Sequence, residues 1–297
     1  MSKSQIQSLS IVGLGFFFFF VFQQILYPEH SIYLSFTLIA LIGIPHGAID
    51  HLLHKERTGK LNIDFYIFYL GVMALYGLTW FIVPSWSLTF FMFLSVFHFG
   101  QSQFADYPQN LWTKFLLPIS WGMCLLSALV FLNMVEIEHL KSDNEVYKIF
   151  FIFEPKLFKY LFFVSSGLLL ICLSFVYLKQ VFSIRTVVFE LALITLLLLS
   201  FYYLDIMPGF TLYFVGIHSL MVMRQEFIFL RERKAYSLTT FLKLLAPFSI
   251  VSIIGSILLI YLSLNKYLPI GNVKLLLILI SLITLPHSIV MDKFYKS

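Results

Sequence analysis

Long apolar runs recur from one end of this sequence to the other. Each is long enough to cross the hydrocarbon core of a bilayer, which is about 30 Å thick. A helix satisfies its own backbone hydrogen bonds in lipid, whereas an open strand does not, and the runs lack the alternation of an outer-membrane barrel. The sequence therefore predicts an all-α, polytopic transmembrane helical bundle of about ten spans. The predicted spans are residues 9–27, 32–51, 63–83, 86–104, 112–134, 159–181, 184–204, 207–230, 243–264 and 272–294.

Composition supports the same class of protein. The chain is 60% hydrophobic and 12% charged, whereas a soluble domain has about 25% charged residues. The spans use most of the sequence, so we expect one integral membrane domain over residues 1–297. The first run lacks a small-x-small cleavage pattern at its end, which favours a true span over a signal peptide. The net charge of +5 is explained by loop charges that orient the helices, and no nucleic-acid partner is expected.

The positive charges predict an orientation. With ten spans, one face receives both termini and the loops 52–62, 105–111, 182–183 and 231–242. That face holds most of the lysines and arginines, and such an excess marks the cytoplasmic side. Both termini are therefore predicted to be cytoplasmic.

Histidines are the most informative polar residues. Three of the eight histidines lie in predicted loops or near the surface, where solvated side chains are expected: His30, His54 and His139. The other five lie inside or at the ends of spans: His46, His51, His98, His218 and His287. The predicted topology places these five in one leaflet, within about 10–20 Å of one surface. Ionisable residues at membrane depth usually face a protein interior and have a function. We expect one metal site supplied by several helices, the alternative being separate, hydrogen-bonded buried histidines.

The first motif is Gly43-Ile-Pro-His-Gly-Ala-Ile-Asp-His51. Pro45 removes a backbone donor and favours a kink, while Gly47 permits close backbone approach. Asp50 lies one turn after His46 and is placed to accept the second ring N–H of a ligating histidine. The alternative interpretation is a polar helix end at the membrane interface.

The other motifs are shorter. His98 and Ser102 share a helix face, with Gln101 alongside, and Pro286-His287 repeats the Pro45-His46 pair. His218-Ser219 follows Tyr213-Phe-Val-Gly. Neutral imidazoles suit iron, copper, zinc or nickel, and Cys124 and Cys172 lie in apolar runs where free thiols are expected. Residues expected to surround and orient the ligands are Asp50, Gln101, Ser102 and Tyr213.

Together these motifs resemble the bacterial Brp/Blh-type β-carotene 15,15′-dioxygenases over nearly the whole chain. The resemblance implies a multi-pass enzyme of the bacterial inner (cell) membrane that uses non-haem Fe(2+) and O2. Its implied reaction is cleavage of the central double bond of lipid-dissolved β-carotene, or a related carotenoid, to give retinal. A functional link to a retinal-binding rhodopsin is implied as well. His46, His98 and His218 carry over as catalytic iron ligands.

Two positions depart from the family pattern. The family has a further histidine one turn after His-Ser, where this chain has Val222, and residues 101–103 lack an expected acidic residue. Either His287 or His51 completes the site, or this member of the family has an altered or lost activity. Two other functions stay open: a metal or small-solute transporter, and a metal-dependent enzyme acting on another isoprenoid or lipid. Polar residues that gather in one predicted leaflet disfavour a transport path.

Overall fold

A computed structural model describes residues 3–26, 30–60, 63–108, 110–141, 149–150, 154–265, 267 and 272–295. Across these residues the regular structure is helical and includes no strand, which confirms the predicted all-α class. The α-helices are α1 (Lys3–Val21), α2 (Ser31–Leu38), α3 (Asp50–Thr58), α4 (Ile63–Ile82), α5 (Pro84–Phe104), α6 (Leu117–Leu132), α7 (Met134–Leu140), α8 (Pro155–Leu178), α9 (Ile184–Tyr203), α10 (Ile206–Tyr213), α11 (Leu220–Lys234), α12 (Leu238–Leu264) and α13 (Asn272–Phe294).

Several helices are extended by irregular turns. The π-helical segments are Phe22–Leu26, Ile39–Gly43, Trp112–Leu116 and Phe214–Ser219, and a 3-10 turn covers Ile44–Gly47. Single π turns inside helices are frequent at functional sites. Two of the predicted ligands, His46 and His218, lie on such irregular segments.

Nine helical stretches among the described residues are long and apolar enough to cross a membrane. They are Ser4–Gln24, Ser31–Thr58, Ile63–Ile82, Trp112–Leu132, Lys156–Leu178, Ile184–Tyr203, Ile206–Lys234, Leu238–Leu259 and Lys274–Phe294. The tenth predicted span, 86–104, corresponds to α5. This helix falls outside the nine because its serine, glutamine and histidine residues lower its mean hydropathy. The predicted cytoplasmic location of both termini stays a prediction.

The chain divides into two compact units. Unit 1 consists of Met1–Ile39, Ser95–Leu140 and Phe153–Ser219, and unit 2 of Ala40–Leu94, Lys141–Ile152 and Leu220–Ser297. Each unit combines segments that are far apart in sequence, so both depend on tertiary packing between helices. The prediction of a single domain over 1–297 concerns independent folding and stays a prediction.

In unit 1, α5 and α6 pack backbone against backbone. A Cβ atom placed on Gly100 would lie 1.9 Å from the carbonyl oxygen of Pro118, and one on Gly122 would lie 1.9 Å from that of Val96. Real Cβ atoms essentially never come closer than 3.0 Å, so this approach requires glycine at both positions. Small residues permit such contacts between membrane helices. The contact fixes the α5 backbone on both sides of His98.

We expect Gly122→Ala to destabilise the protein, because the added methyl group forces α5 and α6 apart. Overpacking of this kind typically costs about 1–3 kcal/mol. The matched control is Gly167→Ala on α8, where an added Cβ meets no atom within 4 Å. Thermal unfolding of the purified variants would measure the difference, and equal melting temperatures would contradict the described packing.

Unit 2 is organised around a hydrophobic cluster. Its buried members come from α3 and the residue before it, α4, α11, α12 and α13: Ile49, Leu53, Phe65, Val222, Leu230, Phe241, Leu245, Val290 and Met291. The 3-10 turn that carries His46 contacts α11, α12 and α13. Hydrophobic packing in unit 2 therefore holds the first histidine motif in place.

In unit 1, Glu136 of α7 is hydrogen-bonded to the first residue of α10. Its carboxylate accepts a hydrogen bond of 2.8 Å from the backbone N–H of Ile206. Burial raises the pKa of Glu136 to about 7; the Ile206 N–H lowers it, and the neighbouring Asp205 carboxylate raises it further. Burial also raises the pKa of Asp205. The folded state thus favours the protonated forms of Glu136 and Asp205.

Stability should therefore depend on pH. A carboxyl group whose pKa is raised on folding binds more protons in the folded than in the unfolded state. Its contribution is present below the unfolded pKa and is lost as pH rises through the folded value. We expect the melting temperature to fall between about pH 4.5 and pH 7. Glu136→Gln should flatten this slope, whereas Glu138→Gln, at an exposed position of the same helix, should leave it unchanged.

Candidate metal centre

Unit 1 contains a pair of buried histidines. His98 lies on α5 and His218 on the π-helical segment Phe214–Ser219. Their ring centroids are 4.9 Å apart and the ring planes are inclined at 74°. One ring nitrogen of each lies within 4.8 Å of the other, so both can reach a common ion. Two helices that are more than a hundred residues apart in sequence thus deliver two neighbouring imidazoles.

Aromatic side chains surround this pair. The ring of His218 lies 4.7 Å from that of Phe99 and stacks on Phe214 at 5.7 Å. Tyr213, predicted to support the site, packs against Phe99 at 5.2 Å and Trp121 at 5.8 Å. The ring of Tyr213 is 6.5 Å from the imidazole of His218. Tyr213 therefore supports the aromatic residues around His218 rather than the imidazole itself.

Ser102 determines which nitrogen of His218 carries the proton. Its hydroxyl donates to the carbonyl oxygen of Phe99 at 2.9 Å, and its oxygen lies 3.0 Å from Nδ1 of His218. Since the single hydroxyl hydrogen is used on the carbonyl, Nδ1 of His218 acts as the donor to Ser102. Nε2 then carries the lone pair, which is the form a metal requires.

Unit 2 contains a second pair. The rings of His46 and His287 are 4.6 Å apart at 89° and both side chains are buried. Gly47 lies against this pair, and a Cβ atom there would be in ordinary van der Waals contact with His287, 3.4 Å from its Nδ1. Pro45 stands at the start of the 3-10 turn that follows the π segment Ile39–Gly43, so the helix type changes next to this proline.

Asp50 is the partner of His287. Its Oδ1 accepts from Nδ1 of His287 at 2.9 Å, and its Oδ2 accepts from the hydroxyl of Tyr69 at 2.9 Å. The neighbouring His46 instead uses Nδ1 to donate to the carbonyl oxygen of Gly43. The carboxylate thus serves a histidine more than 200 residues away, although it shares a motif with His46. The hydrogen bond from Tyr69 to Asp50 could not be predicted from the sequence, because only tertiary packing brings α4 to Asp50.

Three buried histidines therefore share one hydrogen-bond pattern. Nδ1 contacts an oxygen in each of them: the Gly43 carbonyl for His46, the Ser102 hydroxyl for His218 and the Asp50 carboxylate for His287. An acceptor on the second nitrogen is the usual arrangement around ligating histidines, since it fixes both tautomer and ring orientation. Neutral imidazoles suit iron, copper, zinc or nickel.

The remaining predicted residues lie in other surroundings. His51 is half-buried in unit 2, with its ring 4.6 Å from Phe248 and 6.4 Å from Tyr66. Gln101 is buried on α5. Its neighbour Gln103 donates its amide to both carboxylate oxygens of Glu190, at 3.1 and 2.9 Å.

A family model for β-carotene 15,15′-dioxygenases matches residues 37–295. The chain belongs to this family. A family protein from the uncultured marine bacterium 66A03, named beta-carotene 15,15′-dioxygenase, is 30% identical over 83 residues. That match covers 26% of this chain and 30% of the relative. No solved structure matches the chain.

Val222, which stands where a further histidine was expected, has a structural role in this chain. Val222 is fully buried in the hydrophobic cluster of unit 2, together with Ile49, Leu53 and Met291. One turn later, Glu226 is also fully buried, and neither of its oxygens has a hydrogen-bond partner among the described residues. Glu226 interacts electrostatically with Asp50. Unit 2 thus has a hydrophobic side chain at the expected ligand position and an additional carboxylate near the Asp50–His287 pair.

The tautomers can be measured directly. We expect nitrogen NMR of ¹⁵N-histidine-labelled, metal-free protein to show protonated Nδ1 and unprotonated Nε2 for His46 and His218. Ser102→Ala should change the spectrum of His218 and leave that of His287 unchanged, because Asp50 holds the latter. Ser95→Ala, another buried serine of α5, is the control. A His218 signal that Ser102→Ala leaves unaltered would contradict the assigned hydrogen bond.

Proposed function

We propose that the chain is a membrane-embedded, non-haem iron oxygenase that cleaves β-carotene, or a related carotenoid, at the central 15,15′ double bond to give retinal. Family membership over residues 37–295 supports a carotenoid-cleaving function. The observation that carries the proposal is that Nδ1 of His46, His218 and His287 each contacts an oxygen of the protein, which directs Nε2 of each ring toward metal binding.

The proposed ligands of one Fe(2+) ion are His46, His98 and His218, with His287 as the fourth. We place His287 ahead of His51 because its Nδ1 is held by a buried carboxylate, whereas His51 lies half-buried beside Phe248. Neutral imidazoles suit ferrous iron. These side chains would hold the iron, which when bound would supply the one-electron chemistry that allows oxygen to react with an alkene.

The other residues orient and shield the ligands. Asp50 and Ser102 hold the rings of His287 and His218 at fixed angles, and Tyr69 fixes Asp50. Phe99 and Phe214 cover His218 and exclude water from its surroundings. A dry, apolar environment suits a polyene substrate, which has no group to hydrogen-bond with water.

The proposed substrate reaches the enzyme through the membrane. A C40 carotenoid dissolves in lipid, so a site between apolar helices spares it from crossing water. The chain has nine helical stretches that fit a bilayer among its described residues, and we propose the bacterial inner membrane as its location. The retinal produced would be available to a retinal-binding rhodopsin in the same membrane.

Expression in β-carotene-producing bacteria tests the proposal. We expect loss of the yellow pigment and appearance of retinal in extracts, together with iron in the purified protein. His46→Ala, His98→Ala and His218→Ala should each lower turnover by at least about 100-fold, since loss of an outer partner of a metal ligand already costs 10–100-fold. The control is His139→Ala, at an exposed position of α7, which should retain activity and iron.

Three results would contradict the proposal. Wild-type iron content and turnover in all three ligand variants would exclude the assigned site. Unchanged carotene in cells that contain the folded, iron-loaded protein would favour an enzyme acting on another isoprenoid or lipid. Uptake of metal without any change in lipids would favour transport.

A further inference from the structure

A cavity of about 230 Å³ lies in unit 2, at the end of α3, the start of α4 and the end of α13. It is separate from the histidine pair of that unit, since neither His46 nor His287 lines it. All three helices belong to stretches long and apolar enough to cross a membrane. The cavity therefore opens where these stretches reach one end, on the face that the charge pattern predicts to be cytoplasmic.

Positively charged groups line the mouth of the cavity. Arg57 of α3 and Lys293 of α13 are exposed and lie on its wall. Both interact electrostatically with the ring of His54, which lines the same space. Neither forms an ion pair with a carboxylate of the described residues. Asp64 is the acidic group on the wall, so two permanent cations face one anion and the cavity attracts negative charge.

The inner wall of the cavity is apolar. Phe65 packs on the ring of His54 at 4.6 Å, and Phe68 lies on the next turn of α4. The wall continues onto an exposed face of α4, where Ile63, Ile67 and Phe68 are 71%, 64% and 47% exposed. Such a surface suits hydrocarbon chains. The cavity thus combines a cationic mouth with an apolar floor that leads to the lipid-facing side of the helix.

We propose that this cavity binds an anionic phospholipid, with the phosphate between Arg57 and Lys293 and an acyl chain along α4. The two cations supply the charge complementarity, and the exposed apolar face of α4 explains why a lipid fits better than free phosphate. Anionic lipids are concentrated in the cytoplasmic leaflet, where each basic residue near the surface contributes about 1 kcal/mol. The inference does not depend on the carotenoid reaction.

Lipid binding to the purified full chain tests the proposal. Dioleoyl-phosphatidylglycerol and dioleoyl-phosphatidylcholine would be titrated separately, with the bound lipid counted by native mass spectrometry. We expect the double variant Arg57→Gln, Lys293→Gln to bind phosphatidylglycerol about thirtyfold more weakly, which corresponds to about 2 kcal/mol. The matched control is the double variant Arg185→Gln, Lys243→Gln, which removes two exposed cations that do not line the cavity and should bind as the wild type does.

Equal affinity of the wild type and the Arg57, Lys293 double variant would overturn the proposal, and so would an equal loss in the control. Phosphatidylcholine that binds as tightly as phosphatidylglycerol would overturn the role of charge. Competition by glycerol 3-phosphate as strong as that by the lipid would overturn the role of the acyl chain. Should the double variant not fold, Lys293→Gln alone gives the second measurement. About fivefold weaker binding supports the site and unchanged binding rejects it.

Discussion

Polar groups on apolar helices have to find their partners within the protein, and this constraint organises both units. Hydroxyl groups meet it locally, as Ser35 and Thr284 do by bonding to a carbonyl of the preceding turn. A carboxylate has no hydrogen to donate to those carbonyls, so its own helix cannot satisfy it in this way. Asp50 therefore joins His287 of α13 to Tyr69 of α4, and the most polar side chains become the points where helices are connected.

Irregular turns add to this arrangement. A π or 3-10 turn interrupts the regular hydrogen bonds of an α-helix, so that some backbone carbonyls can accept hydrogen bonds from side chains. The carbonyl of Gly43 accepts from His46 at such a place, and His218 lies in another irregular stretch. In each unit a histidine on an irregular segment lies beside a histidine on an α-helix. These are His218 and His98 in unit 1, and His46 and His287 in unit 2.

Hydropathy and the cost of ionisable groups in lipid were sufficient to predict the helical class, nine of the ten spans and the choice of buried histidines. The pairing of Asp50 was not predictable, because proximity in sequence favours His46 while packing brings in His287. Tyr69 carries no local signal either. The role of Val222 depends on side chains from five segments of unit 2, which no sequence motif specifies. Local patterns therefore indicated which histidines are buried, and tertiary packing determined their hydrogen-bond partners.

The glycine contact between α5 and α6 also limits how His98 can be approached. The Val96 carbonyl and Gly122, and likewise Gly100 and the Pro118 carbonyl, are so close that not even a methyl group fits between them. Such a seam admits neither a polyene chain nor an oxygen molecule. Any entrance for an apolar reactant must therefore open on another side of α5.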